Sequence, residues 1–478
     1  MAEVLHLKNA LRKGESPTLE FKREFPVRDK QYLKTIVAFA NGNGGHMLFG
    51  IADGSGDVIG LPQDDIFRVM DSLTDAVADA CAPPIMPEIR IRSIEGKTIL
   101  DVEVLPGQNK PYYLKKEHIP QGVYVRVGAT TRRAEPEQVQ ELTLQGRHQS
   151  YDELPSGREL PDPELIAQLL RQISLRSGKE VTTDKLLGWN VLIRRKNTLL
   201  PTNAFELLTR NPFHFATIQC ACFKGTIKGI FIDKADLEGP VQEQIEQAYQ
   251  FVLRHIRLEA SVEGLYRVER YEIPEEALRE AIINAVVHRN YLQHAYIQVA
   301  IYDDRLEIIS PGGLYGGLTL TQAENGTSSI RNKVLADIFA KMKLVEHWGT
   351  GLLKMKQLCA QAHIPLPTFR DDETSFTVTF YRAKAGTPTF PATPPSKTTL
   401  AANAQCILDY VHQHGSITNR QGRELTGLSV SGVRAILLQL EKSGHVIAVG
   451  DKKNRRYQST ETAPQPELPP LTANPECE

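Results

Sequence analysis

The sequence predicts a multidomain α/β (α+β) protein, and three observations lead there. Its 478 residues exceed what one core serves, since a domain takes roughly 100–200 residues. Two stretches, "KAGTPTFPATPPSKTTLA" (384–401) and "TETAPQPELPPLTANPECE" (460–478), are too rich in proline and small polar residues to pack, and read as a linker and a disordered tail. Elsewhere, apolar residues recur with the helical period in some segments and alternate as in strands in others. A third proline-rich stretch, "QSYDELPSGRELPDPEL" (149–165), suggests a further boundary, giving units at 1–148, 160–383 and 402–459.

Composition narrows the function classes. With 56 basic and 57 acidic residues the net charge is −1, so no global field marks a nucleic-acid or membrane binder, and any such role must be local. The cysteines at 81, 220, 222, 359, 406 and 477 form no pair of C-x-x-C motifs able to build a structural zinc site, and reduced thiols are the expectation. "MAEVLHLKNALRKGE" lacks the apolar core of a signal peptide, and no stretch is apolar enough to span a bilayer. A cytoplasmic protein without membrane partners is expected.

In the N-terminal unit, "TLEFK" alternates, placing Leu19 and Phe21 on one strand face and Glu20 and Lys22 on the other. "YLKTIVAFAN" carries Leu33, Ile36, Val37 and Ala40 at helical spacing, "NGNGG" supplies a turn, and "HMLFGIAD" reads as a buried strand ending at Asp53. If the two strands are neighbours, Glu15, Glu20 and Asp53 converge at one end. Three acids so close suit either a divalent metal, which would offset their mutual repulsion, or a solvated surface.

"ESPTLEFKR", "AFANGNGGHMLFGIAD", "VIGL" and "GVYVRVGATTRRA" together resemble the AlbA-2 domain of the Schlafen family. The resemblance implies a nucleic-acid-binding domain. In the Schlafen nucleases it further implies an Mg²⁺- or Mn²⁺-dependent site for structured or tRNA-like RNA. The two glutamates of its E-x-x-x-x-E-F-K motif are matched by Glu15 and Glu20, its strand-ending aspartate by Asp53, and Lys22 would steady the phosphate. An antiphage or stress-response role would suit such an activity.

The central unit is marked by "IPEEALREAIINAVVHRNY" (273–291), an amphipathic helix with Pro274 in its first turn and Glu280 and Asn284 four apart on one face. "AYIQVAIYDDRLEIISPGGL" reads as two strands joined at Asp303-Asp304 and ending in Gly312-Gly313; "VEHWGTGLLKMKQLC" reads as a helix opened by Gly349-Thr350-Gly351, whose free N–H groups suit a phosphate. In "SSIRNKVLADIFAKMKL", Ile330, Val334, Leu335 and Ile338 have core spacing, with Arg331 and Asn332 just outside the stripe. "HRN" at 288–290 could contact phosphate or cap the helix, with capping the favoured reading of His288, and "CAC" at 220–222 reads as buried strand.

In order and type these segments resemble the gyrase/MutL/histidine-kinase (GHKL) class of ATP-binding α/β sandwiches, in the RecG-like form found beside AlbA-2 domains. The resemblance implies that Glu280 orients water and Asn284 holds Mg²⁺, with the glycines at 312, 313, 349 and 351 and Thr350 around ATP. It also implies a homo-oligomer, a dimer or larger. The aspartate that reads adenine in that class is replaced by the run Ser310-Pro311-Gly312-Gly313, which leaves dimerisation as the alternative use of the fold.

In the C-terminal unit, "AQCILDYVHQHG", "TNRQGRELTG" and "SVSGVRAILLQLEKSG" predict three helices, and "HVIAVGDKKNRRYQ" a hairpin with a basic tip. Val433, Ile436, Leu437 and Leu440 would face the core, turning Ser429, Ser431 and Arg434 outward. Three helices plus a hairpin bearing Lys452, Lys453, Arg455 and Arg456 is the pattern of a winged helix-turn-helix, for DNA or for protein contacts. Two functions follow for the whole chain: a metal-dependent endoribonuclease under nucleotide and DNA control, or a non-catalytic, ATP- and DNA-binding transcriptional regulator.

Overall fold

The computed structural model describes residues 11–12, 14–26, 30–62, 66–157, 161–263, 266–345, 349–372, 374–382, 397–426, 430–442, 444–450 and 455–459. The chain forms two compact units, Met1–Thr389 and Phe390–Glu478, which part inside the proline-rich linker.

The first unit holds two large hydrophobic cores. The N-terminal one is built on a four-stranded sheet in the order Leu19–Lys22, Gly45–Phe49, Lys97–Val104, Glu88–Ile94. The first two strands are neighbours and run parallel, Glu20 opposite Met47. A parallel pair needs a crossover, and the helix Tyr32–Asn41 supplies it, burying Leu33, Ile36, Val37, Phe39 and Ala40. Asn41 at its end is buried. Its amide donates to the carbonyls of Tyr112 and Tyr124 and accepts the N–H of Tyr112, tying distant loops to the helix.

The central core lies under a six-stranded sheet in the order Ile230–Leu237, Ile218–Lys224, Ile297–Ile301, Arg305–Pro311, Ser375–Tyr381, Thr368–Asp371. Ile218–Lys224 and Ile297–Ile301 are parallel and the other pairs antiparallel. The expected hairpin about Asp303-Asp304 is present, and Cys220 and Cys222 lie buried in a strand. The apolar stripe of Glu275–Val287 packs that helix against the strand leading to Gly312, which places Glu280 and Asn284 beside the glycine turn.

Residues 150–153, inside the stretch whose prolines suggested a boundary, form a short helical turn with buried residues. Ser150 and Asp152 are buried, and Asp152 Oδ2 accepts the Leu335 N–H, 2.9 Å, in the first turn of the helix Lys333–Lys341. A carboxylate at a helix N-terminus satisfies an otherwise orphaned donor and meets the positive end of the dipole. The acid, within the stretch read as a boundary, is a cap from a sequence-distant segment. Burial nevertheless pushes the Asp152 carboxyl up to about 6. Unfolded, it titrates near pH 3.9, so between about 4 and 6 the folded protein holds a proton that the unfolded chain has released. Stability is therefore expected to fall as pH rises through that window. Urea midpoints at pH 4 and 7 check this: Asp152→Asn, which keeps an acceptor for Leu335, should flatten that part of the profile.

The second unit comprises the helices Lys397–His414, Asn419–Thr426 and Val430–Lys442 and a three-stranded sheet ordered Ser416–Ile417, Arg456–Ser459, Val446–Val449. Val433, Ile436, Leu437 and Leu440 are core, as their spacing predicted, with Ile407, Val411 and Tyr457. The first helix starts within the expected linker, at Lys397. The prolines end at Pro395, and the following "SKTTLAANA" contains nothing that breaks a helix.

Candidate nucleotide site and the N-terminal acids

Seven cavity residues expected from three separated segments line one cavity. They are Glu280 and Asn284 from the helix, Gly312 and Gly313 after the strand, and Gly349, Thr350 and Gly351 at the start of the helix Gly351–Gln361. The cavity is open to solvent and holds about 1270 Å³ of empty space, its mouth included. One helical turn separates Glu280 from Asn284, whose Nδ2 donates to Glu280 Oε1 at 3.0 Å. Gly351 abuts that pair: a Cβ there would overlap Glu280 Oε1 and Asn284 Nδ2. The close approach brings a helix N-terminus, with unsatisfied N–H groups, beside two oxygen-bearing side chains. Ser310, where an adenine-reading acid was expected, donates its hydroxyl to the Ala285 carbonyl at 2.7 Å and so braces strand to helix.

His288, whose phosphate-contact reading was the less favoured one, also lines the cavity, as do Arg331, Tyr315 and Lys354, which were not read as site residues from the sequence. His288 occupies the C-cap of its helix, its N–H bonded to the Asn284 carbonyl, in keeping with a capping role. Burial, aided by Arg331, pushes its imidazole down to about 4, so it meets a ligand as a neutral ring. Arg331 is a strut. Its Nη1 donates to the His288 carbonyl at 2.7 Å, its Nη2 to the Gly313 carbonyl at 3.0 Å, and its guanidinium lies 5.1 Å from the Tyr315 ring. Asn332, the next residue, is buried and ties the Val287 and Arg289 carbonyls.

The N-terminal acids do not come together. Glu15 accepts the Phe21 N–H at 3.0 Å. Glu20 is buried, with Oε1 2.7 Å from Lys22 Nζ and Oε2 2.7 Å from Arg126 Nη1. Asp53 stands exposed on a turn beyond its strand. Among the described residues no three His, Cys, Asp or Glu side chains form a group able to hold a metal ion. The two strands are neighbours, as convergence required, but Glu20 sits mid-strand opposite Met47 and Asp53 lies beyond the strand's end. In this arrangement both oxygens of Glu20 are already neutralised by cations, so Glu15, Glu20 and Asp53 do not fit a resident Mg²⁺ or Mn²⁺. Arg126, on Tyr124–Val127, is the partner that sequence reasoning missed. Its side chain is 5% exposed, donates to the Ser16 carbonyl and Thr131 Oγ1, and lies over the Phe39 ring.

In the second unit Arg434 and Arg456 are exposed. Arg455 lies 3.5 Å from Glu441 and over the Tyr457 ring, which offsets part of the expected basic tip. Ser429, Lys452 and Lys453 and the side chain of Ser431 lie outside the described residues.

Comparison with known proteins adds family relationships. Residues 15–135 match the Schlafen AlbA_2 family model, and residues 294–380 match HATPase_c_4, described as "Putative ATP-dependent DNA helicase recG C-terminal". An uncharacterised ATP-binding protein of Ureaplasma parvum is 35% identical over 81 residues, 16% of this chain; the match spans only 23% of that relative's length. A crystal structure from Corynebacterium diphtheriae aligns over 93% of this chain and 92% of its own, at 20% identity and a TM-score of 0.42. The N-terminal domain of a RecG-related protein from Nitrosomonas europaea aligns over 28% of this chain and 92% of its own, at 30% identity and a TM-score of 0.21. Residues 15–135 of this chain are thus similar to the Schlafen AlbA_2 family and residues 294–380 to the HATPase_c_4 family.

Proposed function

We propose that the protein is a nucleotide-binding, nucleic-acid-directed regulator: the central cavity takes ATP with Mg²⁺, the AlbA_2 domain binds nucleic acid, and the C-terminal unit docks on DNA as a winged helix. The observation that carries the proposal is the meeting of seven residues from three distant segments around one cavity, with cationic Arg331 and Lys354 on its wall. The donor set suits the ion. Glu280 and Asn284 present hard oxygen atoms, which Mg²⁺ prefers, and bound Mg²⁺ would neutralise phosphate charge there. The glycine turn and the helix N-terminus at Gly351 would receive the phosphates through backbone N–H groups. Exposed Arg434 and Arg456 would contact DNA phosphates, a salt-sensitive interaction. The proposal includes self-association of the central domain, whose sheet ends in a strand exposing Ile230, Phe231 and Ile232.

Calorimetric titration of the full chain with ATP and Mg²⁺ tests the central step. Wild type is expected to bind saturably and Asn284→Ala to bind at least about tenfold more weakly, the loss of one charge-assisted ligand. No heat from folded wild type would sink the nucleotide reading. RNA cleavage is a second reading, favoured by the AlbA_2 match that spans Glu15, Glu20 and Asp53. It requires those acids to leave their present partners.

A further inference from the structure

The wall of the nucleotide cavity is made by the central domain, but it is braced from outside that domain. Glu141, on the helix Pro136–Gly146, lies outside both matched families, yet its Oε1 accepts from Arg331 Nε at 3.0 Å and its Oε2 from Asn290 Nδ2 at 2.9 Å. Both donors belong to segments that frame the cavity. Because Arg331 also holds the Gly313 and His288 carbonyls, the carboxylate fixes the guanidinium that fixes the glycine turn. A second contact meets the other end of the same loop: Gly317 (φ +83°) packs on Asn43, from the "NGNGG" turn of the N-terminal domain, so closely that a Cβ would overlap Asn43 Oδ1. The helix bearing Glu141 is in turn held to the AlbA_2 domain, through Lys110 Nζ to Gln145 Oε1 at 3.3 Å and a contact of Gly146 on the Lys110 carbonyl.

We propose that Glu141 and Asn43 are positioning residues of the nucleotide site, holding its Gly312–Gly317 loop from the N-terminal domain so that cavity occupancy and the state of that domain are coupled. An incoming phosphate competes with Glu141 for Arg331. A ligand that draws the guanidinium inward loosens the hold on the helix Pro136–Gly146, and by linkage a partner that displaces this helix alters nucleotide affinity by the same factor. The coupling runs through Glu141, Arg331 and Asn43, side chains that join the two domains.

The proposal rests on the nucleotide reading only for its affinity arm, so two readouts are taken on Glu141→Ala, Glu141→Gln and the exposed same-helix control Glu137→Ala. Hydrogen exchange of residues 312–317 without ligand is expected to speed up about tenfold in Glu141→Ala, less in Glu141→Gln, which keeps one of the two acceptor contacts, and not in Glu137→Ala. ATP affinity is expected to shift in the same rank order, with the Glu141→Ala loss about tenfold. If wild type binds no ATP, the nucleotide reading fails and the exchange arm alone decides the clamp. Unchanged exchange in Glu141→Ala, or a change that Glu137→Ala reproduces, overturns the proposal. Should Glu141→Ala fail to fold, Asn43→Ala and Glu141→Gln carry the same comparison.

Discussion

Gly312→Ala is expected to cost roughly 3 kcal/mol of stability and to remove nucleotide binding, whereas the same change at Gly326 should cost only about 1 kcal/mol. The two glycines share a backbone conformation, φ +92° and +90°, which L-residues adopt only with strain. Their surroundings differ. A Cβ at Gly326 meets nothing within 4 Å, so strain is the whole cost there. A Cβ at Gly312 would stand 2.6 Å from Arg331 Nη1 and 2.6 Å from the Asn290 Cβ. One of these is backbone-near and cannot yield; the other is the strut that carries the Glu141 contact. The substitution therefore adds overpacking to strain and pushes Arg331 off the Gly313 and His288 carbonyls together. Chemical denaturation of both variants, followed by ATP titration of whichever remains folded, checks the pair. Equal losses at 312 and 326 would mean that backbone strain alone sets the effect and that the strut adds nothing.

The same residues show how far the sequence could be read. Helices and strands around the cavity were legible because each segment carries its own period: Glu280 and Asn284 were placed on one face by four-residue spacing, and the glycine pairs marked their turns without any knowledge of neighbours. The C-terminal core was legible for the same reason. Arg331 and Glu141 were not. They are separated by 190 residues, and nothing local distinguishes an arginine that bridges two carbonyls from one that faces water. The stretch holding Asp152 was read as a boundary because the partner of Asp152, the N–H of Leu335, lies 183 residues on. The N-terminal acids failed in the opposite sense. Their spacing and the strand pairing were read correctly, but the identity of what neutralises Glu20 depended on Arg126, 106 residues away.

That last point sets the sharpest test of the AlbA_2 domain. Glu20→Ala is expected to destabilise the protein by about 3–5 kcal/mol, because it leaves Arg126, with a side chain only 5% exposed, as a buried cation without its carboxylate. Glu20→Gln should cost less, since an amide oxygen still accepts from Arg126 Nη1, though without the charge. Neither Mg²⁺ nor Mn²⁺ should raise the wild-type unfolding midpoint if Glu20 keeps Lys22 and Arg126 as its partners; a tight resident metal would raise it by mass action. The companion experiment incubates the full chain with total tRNA and with single- and double-stranded DNA, in either metal, beside Glu20→Gln. On the regulator reading the nucleic acids stay intact and binding survives in the variant. Cleavage by wild type that disappears in a folded Glu20→Gln protein would reverse the assignment. It would show that substrate or metal draws Glu20 away from Arg126, releasing that arginine toward the phosphates, and that Glu15, Glu20 and Asp53 assemble only in the loaded state.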